Sequence, residues 1–353
     1  MKKYSTVRVW FAVCLINLIP LLLWLTMKPV GERVAGNFLI FKSLGQITAL
    51  LGYSLMATVI FLTARLGLVE KKMCGLNRVF INHHRLGAWA FILLMVHPLA
   101  LTISYLTFST QAAATFLIPG VEVWPQTLGT IALGIMMILL FITFYLSWRY
   151  QVWKFSHRFL VLAFIVGTAH LAFIASDVSN SFALRVYMLI LAGVAFIAYG
   201  YRLLVEFGGI GKYQYKVSSV RELAAGVREI SLQSVGKTMA YQAGQFAFFS
   251  FKQDGLSAEN HPFSLISVPE EPELKIIVKE LGDFTRTLAQ LKVGSLVAVE
   301  GPYGSFGQLD AKVGGIQPKE IWIAGGIGIT PFISLAKDLT KNGRSADLYY
   351  SVR

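Results

Sequence analysis

The chain of 353 residues holds six histidines, and five of them stand at the ends of, or inside, two apolar runs. The first run opens as NHHRLG, with His83 and His84, and carries His97 in its interior; the second opens at His157 and reaches His170. Imidazole is costly in hydrocarbon unless something coordinates it or hydrogen-bonds to it. His83 and His97 are 14 residues apart, which on a helix is about 3.9 turns and roughly 21 Å of axis, so both point to nearly one face. His157 and His170 are 13 apart, about 3.6 turns and roughly 20 Å. That fit is poorer, and a local π-bulge near Gly167 is expected to repair it. His84 competes with His83: it gives the 13-residue spacing in both runs, but on an ideal helix it points away from His97.

Two such helices placed side by side and running in the same sense offer two pairs at two depths, His83 with His157 and His97 with His170. Each pair suits one iron gripped from opposite sides, and two six-coordinate haems stacked across a bilayer are the economical reading. No Cys-x-x-Cys-His occurs, so the haems would be non-covalent, of the b type. The two cysteines, Cys14 and Cys74, make neither a disulfide framework nor a Cys-rich metal site. The plainer alternative is a set of interhelical hydrogen bonds or a proton relay. A duplicated pair at matched depth favours haem.

The elements that position these residues are membrane spans. The chain is 55% hydrophobic and 14% charged, too apolar for a wholly soluble protein. Apolar runs of spanning length fall at about 8–27, 44–64, 85–108, 127–147, 158–176 and 184–205, predicting a six-helix bundle. The long apolar stretch after Met1 reads as a first span rather than a cleaved signal peptide. Residues 1–210 carry 16 Lys+Arg against 5 Asp+Glu, and residues 211–353 carry 16 against 14. The basic excess lies in short loops between apolar runs, which argues for membrane orientation and against nucleic acid. Arg65, Lys71, Lys72, Arg78 and Arg85 stand between runs two and three, and Arg149, Lys154 and Arg158 between runs four and five, whereas STQAAATFLIPGVEVWPQ and SDVSNS have neither Lys nor Arg. By the positive-inside rule the N-terminus, the basic loops and everything after run six face the cytoplasm.

After residue 210 the texture changes. YKVSSV, REISLQSV, GQFAFFSF, FSLISV, ELKIIVKEL and SLVAVEGP alternate in short stretches between Gly, Pro and charged turns, the pattern of a small antiparallel β-barrel. KEIWIAGGIGITPFISLAKDLTKNGRSADLYYSVR then reads strand, Gly-rich turn, helix, strand: one βαβ unit of a partial α/β nucleotide-binding domain. The expected domains are therefore 1–210, a six-helix transmembrane haem domain; 211–310, a β-barrel; and 318–353, an apparently truncated α/β domain.

In layout the chain resembles the ferric reductase-like transmembrane and NADPH oxidase superfamily, of prokaryotic type, with a ferredoxin-NADP reductase-like module for FAD and NADPH. The resemblance rests on HHRLG and SHR at matching offsets, then HPFSLIS (261–267), VKELGDFTRTL (278–288), GPYGSFG (301–307) and AGGIGITPF (324–332). It implies that His261, Pro262, Phe263 and Ser264 lie against the isoalloxazine and ribityl chain of FAD. Lys279 and Gly282 belong to the partner segment, where Phe284, Thr285 and the following helix N-terminus receive the pyrophosphate, with Arg286 adding charge. Gly325, Gly326 and Gly328 let the backbone approach the pyrophosphate of NADPH, Thr330 and Pro331 lie at the nicotinamide end, and Ser351 and Arg353 stand beside the 2′-phosphate.

Two departures from that superfamily's pattern matter. The Cys-Gly-Pro segment and the flavin-stacking aromatic of its nicotinamide domain do not occur, so the chain is expected to be a piece of a longer protein. In the eukaryotic oxidases a basic residue and a further His mark the oxygen pocket, and the matching positions here are Gln46 and Leu101. The implied function is transfer of electrons from cytoplasmic NADPH through FAD and two b-type haems to oxygen or ferric iron outside, in a bacterial inner membrane. A flavin suits this because it converts between two-electron and one-electron transfer. No residue need act as an acid or base along the membrane path, and no protein partner is required. The alternative from a different class is a membrane cytochrome b subunit that relays electrons to a protein or quinone partner.

Overall fold

The computed structural model describes residues 2–118, 120–146, 148, 150–307, 320–341 and 345–352. Arg149 and Arg353 lie outside the described residues. The chain divides into two compact units, one of residues 7–65 and 79–202, the other of residues 1–6, 66–78 and 203–353.

Six spans run through the first unit. They are α1 (Lys2–Leu25), α2 (Asn37–Leu62), then, past the short α3 (Gly67–Lys72), α4 (Leu76–Leu106), α5 (Trp124–Tyr145), the pair α6 (Tyr150–Arg158) and α7 (Leu160–Phe173), and α8 (Phe182–Glu206). At about 1.5 Å per residue, 22 residues already exceed the hydrocarbon core of roughly 30 Å, and the shortest single helix, α5, has that length. The spans start earlier than their apolar runs: α4 begins at Leu76 and carries NHHR inside its first turns. Hydropathy marks only the part of a helix that touches lipid, and the backbone ladder continues beyond it. Pro125 opens α5, where a missing N–H costs nothing.

The spans turn large apolar side chains outward, Ile138, Phe141 and Phe144 of α5 among them, a surface that only lipid accommodates. The molecule is a multi-pass membrane protein. Its interior packs Trp24, Tyr53, Phe164, Leu184 and Met188 around Ala57, Ala192 and Ala195. Small residues there bring the helix backbones close enough for dispersion to act without a water-driven term.

The expected π-bulge near Gly167 is absent, since α7 is regular through that residue. The helix instead breaks at Phe159, whose N–H donates to Ser156 O at 3.0 Å while Leu162 N–H donates to Phe159 O at 2.8 Å. These are i→i+3 bonds, which overwind the chain toward three residues per turn. Overwinding has the right sign: it adds rotation between His157 and His170, which are short of a whole number of turns, and a wider turn would have removed it.

In the second unit six strands form one antiparallel sheet in the order β4 (His261–Ser264), β3 (Phe246–Lys252), β6 (Leu296–Tyr303), β1 (Tyr213–Ala224), β2 (Val227–Ser234), β5 (Leu274–Lys279). Alternation places Tyr215, Val217, Ile230, Leu232, Phe249 and Phe251 in its core. The edge strands meet at an isolated bridge, Leu265 with Ile276, and at the bond from Ile266 N–H to Lys275 O, 2.9 Å. FSLISV therefore gives strand only as far as Ser264, because at Leu265 the chain leaves β3 for β5. The βαβ unit follows as β7 (Glu320–Gly325), α10 (Thr330–Lys341) and β8 (Ala346–Ser351), with β7 and β8 parallel. A five-residue helix, α9 (Asp283–Thr287), lies between β5 and β6, and α10 buries Phe332, Leu335 and Leu339 against Trp322 and Ala324.

Candidate haem and dinucleotide sites

Three of the four histidines are oriented by backbone carbonyls. Nδ1 of His97 lies 2.8 Å from Gly45 O, Nδ1 of His170 lies 2.7 Å from Pro125 O, and Nδ1 of His83 lies 3.1 Å from Val59 O. A carbonyl oxygen only accepts, so each Nδ1 carries the proton and donates it, and each Nε2 keeps a lone pair for a metal. His83 and His157 face each other with ring centroids 6.3 Å apart at 61°. That gap suits one metal atom bonded to a nitrogen on each side at about 2 Å. His157 stacks on Trp153 at 5.5 Å, and its buried Nδ1 has no hydrogen-bond partner. The rival His84 is exposed.

His97 and His170 line one cavity of about 600 Å³, together with Tyr53, Gln46, Gly129 and Leu133. Two glycines allow this closeness. A Cβ on Gly129 would lie 2.9 Å from Cε1 and Nδ1 of His170, and one on Gly45 would lie 2.8 Å from Leu101 and 3.2 Å from His97 O. Among the described residues no group of three or more His, Cys, Asp or Glu is placed to hold a metal ion. A bare ion would find too few donors here, whereas a metal that brings four in-plane donors of its own needs two. The paired imidazoles thus fit haem.

The orienting carbonyls of Val59, Gly45 and Pro125, and the packing glycines, are the functional groups that sequence reasoning missed. Glycines inside apolar helices are a signal for close approach, but they do not say to what. Tyr53 also escaped notice: its hydroxyl bonds Thr168 Oγ1 at 2.8 Å, and its ring stacks on Phe164 at 5.0 Å.

In the sheet unit the expected flavin residues divide. His261 stacks on Phe284 with centroids 3.5 Å apart at 11°, while Phe263 packs against the sheet core near Phe249. Pro262 and Ser264 alternate to the other face, opposite Phe248 and Phe246. Those two phenylalanines and Tyr303 form an aromatic trio with centroids 5.7–6.0 Å apart. HPFS therefore does not present four side chains to one surface. Thr285 Oγ1 accepts the N–H groups of Leu281 and Gly282 at 2.9 and 3.0 Å. Lys279 and Arg286 are exposed.

Gly282, Gly325 and Gly328 have nothing within 4 Å of where a Cβ would stand, and neither does Gly326, whose φ of +50° makes the turn out of β7. This open backbone fits the approach of a pyrophosphate. Thr330 is buried and donates to Ile327 O at 3.0 Å, Pro331 lies in the first turn of α10, and Ser351 ends β8 opposite Gly325.

Residues 48–168 match the profile of the ferric reductase like transmembrane component, which takes in His83, His97 and His157, and residues 213–306 match that of an FAD-binding domain. The chain is 28% identical over 211 residues to respiratory burst oxidase homolog protein A of Solanum tuberosum, covering 53% of this chain and 21% of that one. It is 32% identical over 137 residues to dual oxidase 2 of Rattus norvegicus, covering 36% and 9%. It is also 32% identical over 135 residues to the electron transfer subunit of dihydroorotate dehydrogenase B (NAD(+)) of Bacillus caldolyticus, covering 38% and 52%. The chain thus spans about half the length of these relatives or less. Among solved structures, phthalate dioxygenase reductase aligns at 24% identity and a TM-score of 0.36, over 41% of this chain and 45% of that one. The two matched segments, a ferric reductase like transmembrane component and an FAD-binding domain, follow one another along this chain.

Proposed function

We propose that the chain moves electrons from a cytoplasmic nicotinamide nucleotide, NADPH, across a bacterial inner membrane to an acceptor outside. The carrying observation is the two histidine pairs, three of whose four rings are fixed with Nε2 left over. When bound, FAD would convert a two-electron hydride into single electrons, and two b-type haems would accept and release them one at a time.

The chain's own residues do the rest. His83 with His157, and His97 with His170, would hold one haem each, with the rings kept in place by Val59, Gly45 and Pro125. Phe164, seven residues after His157 and six before His170 on the same span, is 1% exposed and keeps the intervening level apolar and dry. In the sheet unit the Leu281–Thr285 turn and the glycines after β7 would take the two pyrophosphates, with HPFS at the sheet edge beside the flavin. The corresponding parts are 1–210 for haem, 211–310 for FAD and 318–353 for the nucleotide. Kinship with respiratory burst and dual oxidases supports the electron-transfer class.

The test is a reduced-minus-oxidised spectrum with haem and flavin quantitation on the purified chain. Two b-type haems and one FAD are expected. A colourless protein after expression with ample haem supply would overturn the reading.

A further inference from the structure

The topology proposed above puts the α1–α2 loop outside, yet it and the start of α2 carry Lys28, Arg33 and Lys42. Basic residues on that side run against the orientation rule, so they call for another use. Arg33 is accounted for. It is 5% exposed, lies 3.5 Å over the Trp24 ring, donates to Trp24 O at 2.6 Å and pairs with Asp177 at 3.3 Å. Asp177 also accepts from Trp24 Nε1 at 2.8 Å. That brace neutralises the one acidic group on the cavity wall.

Lys28 and Lys42 differ. Both line the cavity that holds His97 and His170, both are exposed, and neither pairs with a carboxylate among the described residues. The Lys42 ammonium has only the Phe38 ring, 5.6 Å away, a weak cation–π contact at an exposed position. Gln46, four residues on along α2, shares its face and lines the same cavity. The result is two uncompensated cations and an amide at the mouth of an otherwise largely apolar chamber, a composition that selects anions with oxygen donors over a neutral diatomic.

We propose that Lys28 and Lys42 form a carboxylate-binding mouth to the His97/His170 cavity. This deepens the electron-transfer reading and rests on it. Carboxylate at that mouth has two sources: an external acceptor of the ferric polycarboxylate class, or the propionates of the haem in the cavity. For the first, the balance is NADPH plus two Fe(III) chelates giving NADP⁺, one proton and two Fe(II) chelates. One electron passes per iron and no ligand bond need break.

The experiment uses the full chain in lipid nanodiscs, comparing wild type, Lys28→Gln/Lys42→Gln and the charge-keeping Lys28→Arg/Lys42→Arg. Gallium citrate, a redox-inert chelate, is titrated calorimetrically, and haem content and both haem midpoint potentials are measured. If the mouth receives the chelate, the glutamine pair weakens gallium citrate binding at least about tenfold and raises KM for ferric citrate while kcat, haem content and potentials stay put. If it holds propionates, the glutamine pair lowers haem content or shifts one potential, and citrate binding is unchanged. The arginine pair behaves as wild type in both cases. Wild-type values throughout for the glutamine pair would overturn the proposal. A wild-type chain without haem would instead overturn the electron-transfer reading, and the gallium titration would still test the mouth.

Discussion

In the membrane-spanning unit, His83, His97 and His170 each have one ring nitrogen engaged by a main-chain carbonyl and the other left over. In the sheet-bearing unit the candidate groups engage one another: Thr285 with the Leu281 and Gly282 amides, Thr330 with Ile327 O, His261 with Phe284. Each of these groups has a partner, as burial requires of polar groups, and the buried Nδ1 of His157 stands apart from them with none. The two arrangements differ in where the leftover capacity lies. A span has no water to satisfy a spare donor, so the ring is fixed by the backbone and its second nitrogen is held in a set direction. A surface turn has water and its own hydroxyls, so it closes on itself and must exchange internal bonds when a ligand arrives.

The largest expected effect tests the preformed side. Either His97→Ala or His170→Ala should reduce haem from the proposed two per chain to one, because each leaves one imidazole where a pair would hold the group. Haem content that stays at two would break the ligand assignment. His84→Ala should leave both haems in place, and loss of one would transfer the role from His83 to its neighbour.

A subtler test leaves every ligand intact. Gly129→Ala puts a methyl group 2.9 Å from the His170 ring, an overpacking of about 1–3 kcal/mol. It should swing the ring off Pro125 O, and be read as partial haem loss or a shifted midpoint potential of one haem. Gly134→Ala, with nothing within 4 Å, is the control on the same helix and should match wild type. Equal behaviour of the two variants would mean that the histidine orientation is not set by packing.

On the side that closes on itself, Thr285→Val removes the hydroxyl that ties the Leu281–Gly282 turn. At about 0.5–1.5 kcal/mol per hydrogen bond, FAD affinity measured by flavin fluorescence should fall about 3- to 10-fold. Tighter binding would reverse the interpretation, since it would mean that the hydroxyl competes with the ligand for those two amides.

The same contrast explains what was legible in the sequence. The histidines stood out because a polar ring inside an apolar run is conspicuous whatever its partners. The spacing also exposes the angular deficit between His157 and His170, but not where a helix would absorb it, which is the tightened turn at Phe159. Val59, Gly45 and Pro125 were invisible because every residue carries a carbonyl. In the sheet unit the strands were legible from alternation, while the division of HPFS between two faces was overlooked although alternation itself contains it: His261 and Phe263 cannot share a face with Pro262 and Ser264. The bridge between the sheet edges depends on how Leu265 leaves β3, which no local pattern states.

The smallest effect expected concerns how α10 is held to the sheet unit. Glu271 accepts from Val268 N–H at 3.2 Å and pairs with Lys337 at 2.7 Å and Lys275 at 3.5 Å. Partial burial pushes its carboxyl up, but the Lys337 ammonium, the Val268 amide and the Lys275 charge together hold it below the ordinary glutamate value, which is about 4.3. A carboxyl depressed in the folded state adds stability above its unfolded pKa and loses it as pH falls through the folded one. The Lys337 pair should therefore protect α10 at pH 7 and cease to do so as pH falls through the lowered carboxyl value. For a partly exposed pair the contribution is about 0.5–1 kcal/mol. Hydrogen exchange across α10 in the full chain, corrected for the intrinsic pH dependence of exchange, should be about 2- to 5-fold faster in Glu271→Gln than in wild type at pH 7. The two should converge as pH falls through the lowered carboxyl value. A gap that persists in acid would locate the anchoring elsewhere, in the bond from Gly244 N–H to Ser334 Oγ and the Phe306–Phe332 contact. The helix would then be held by an amide–hydroxyl bond and an aromatic contact, neither of which titrates in this range.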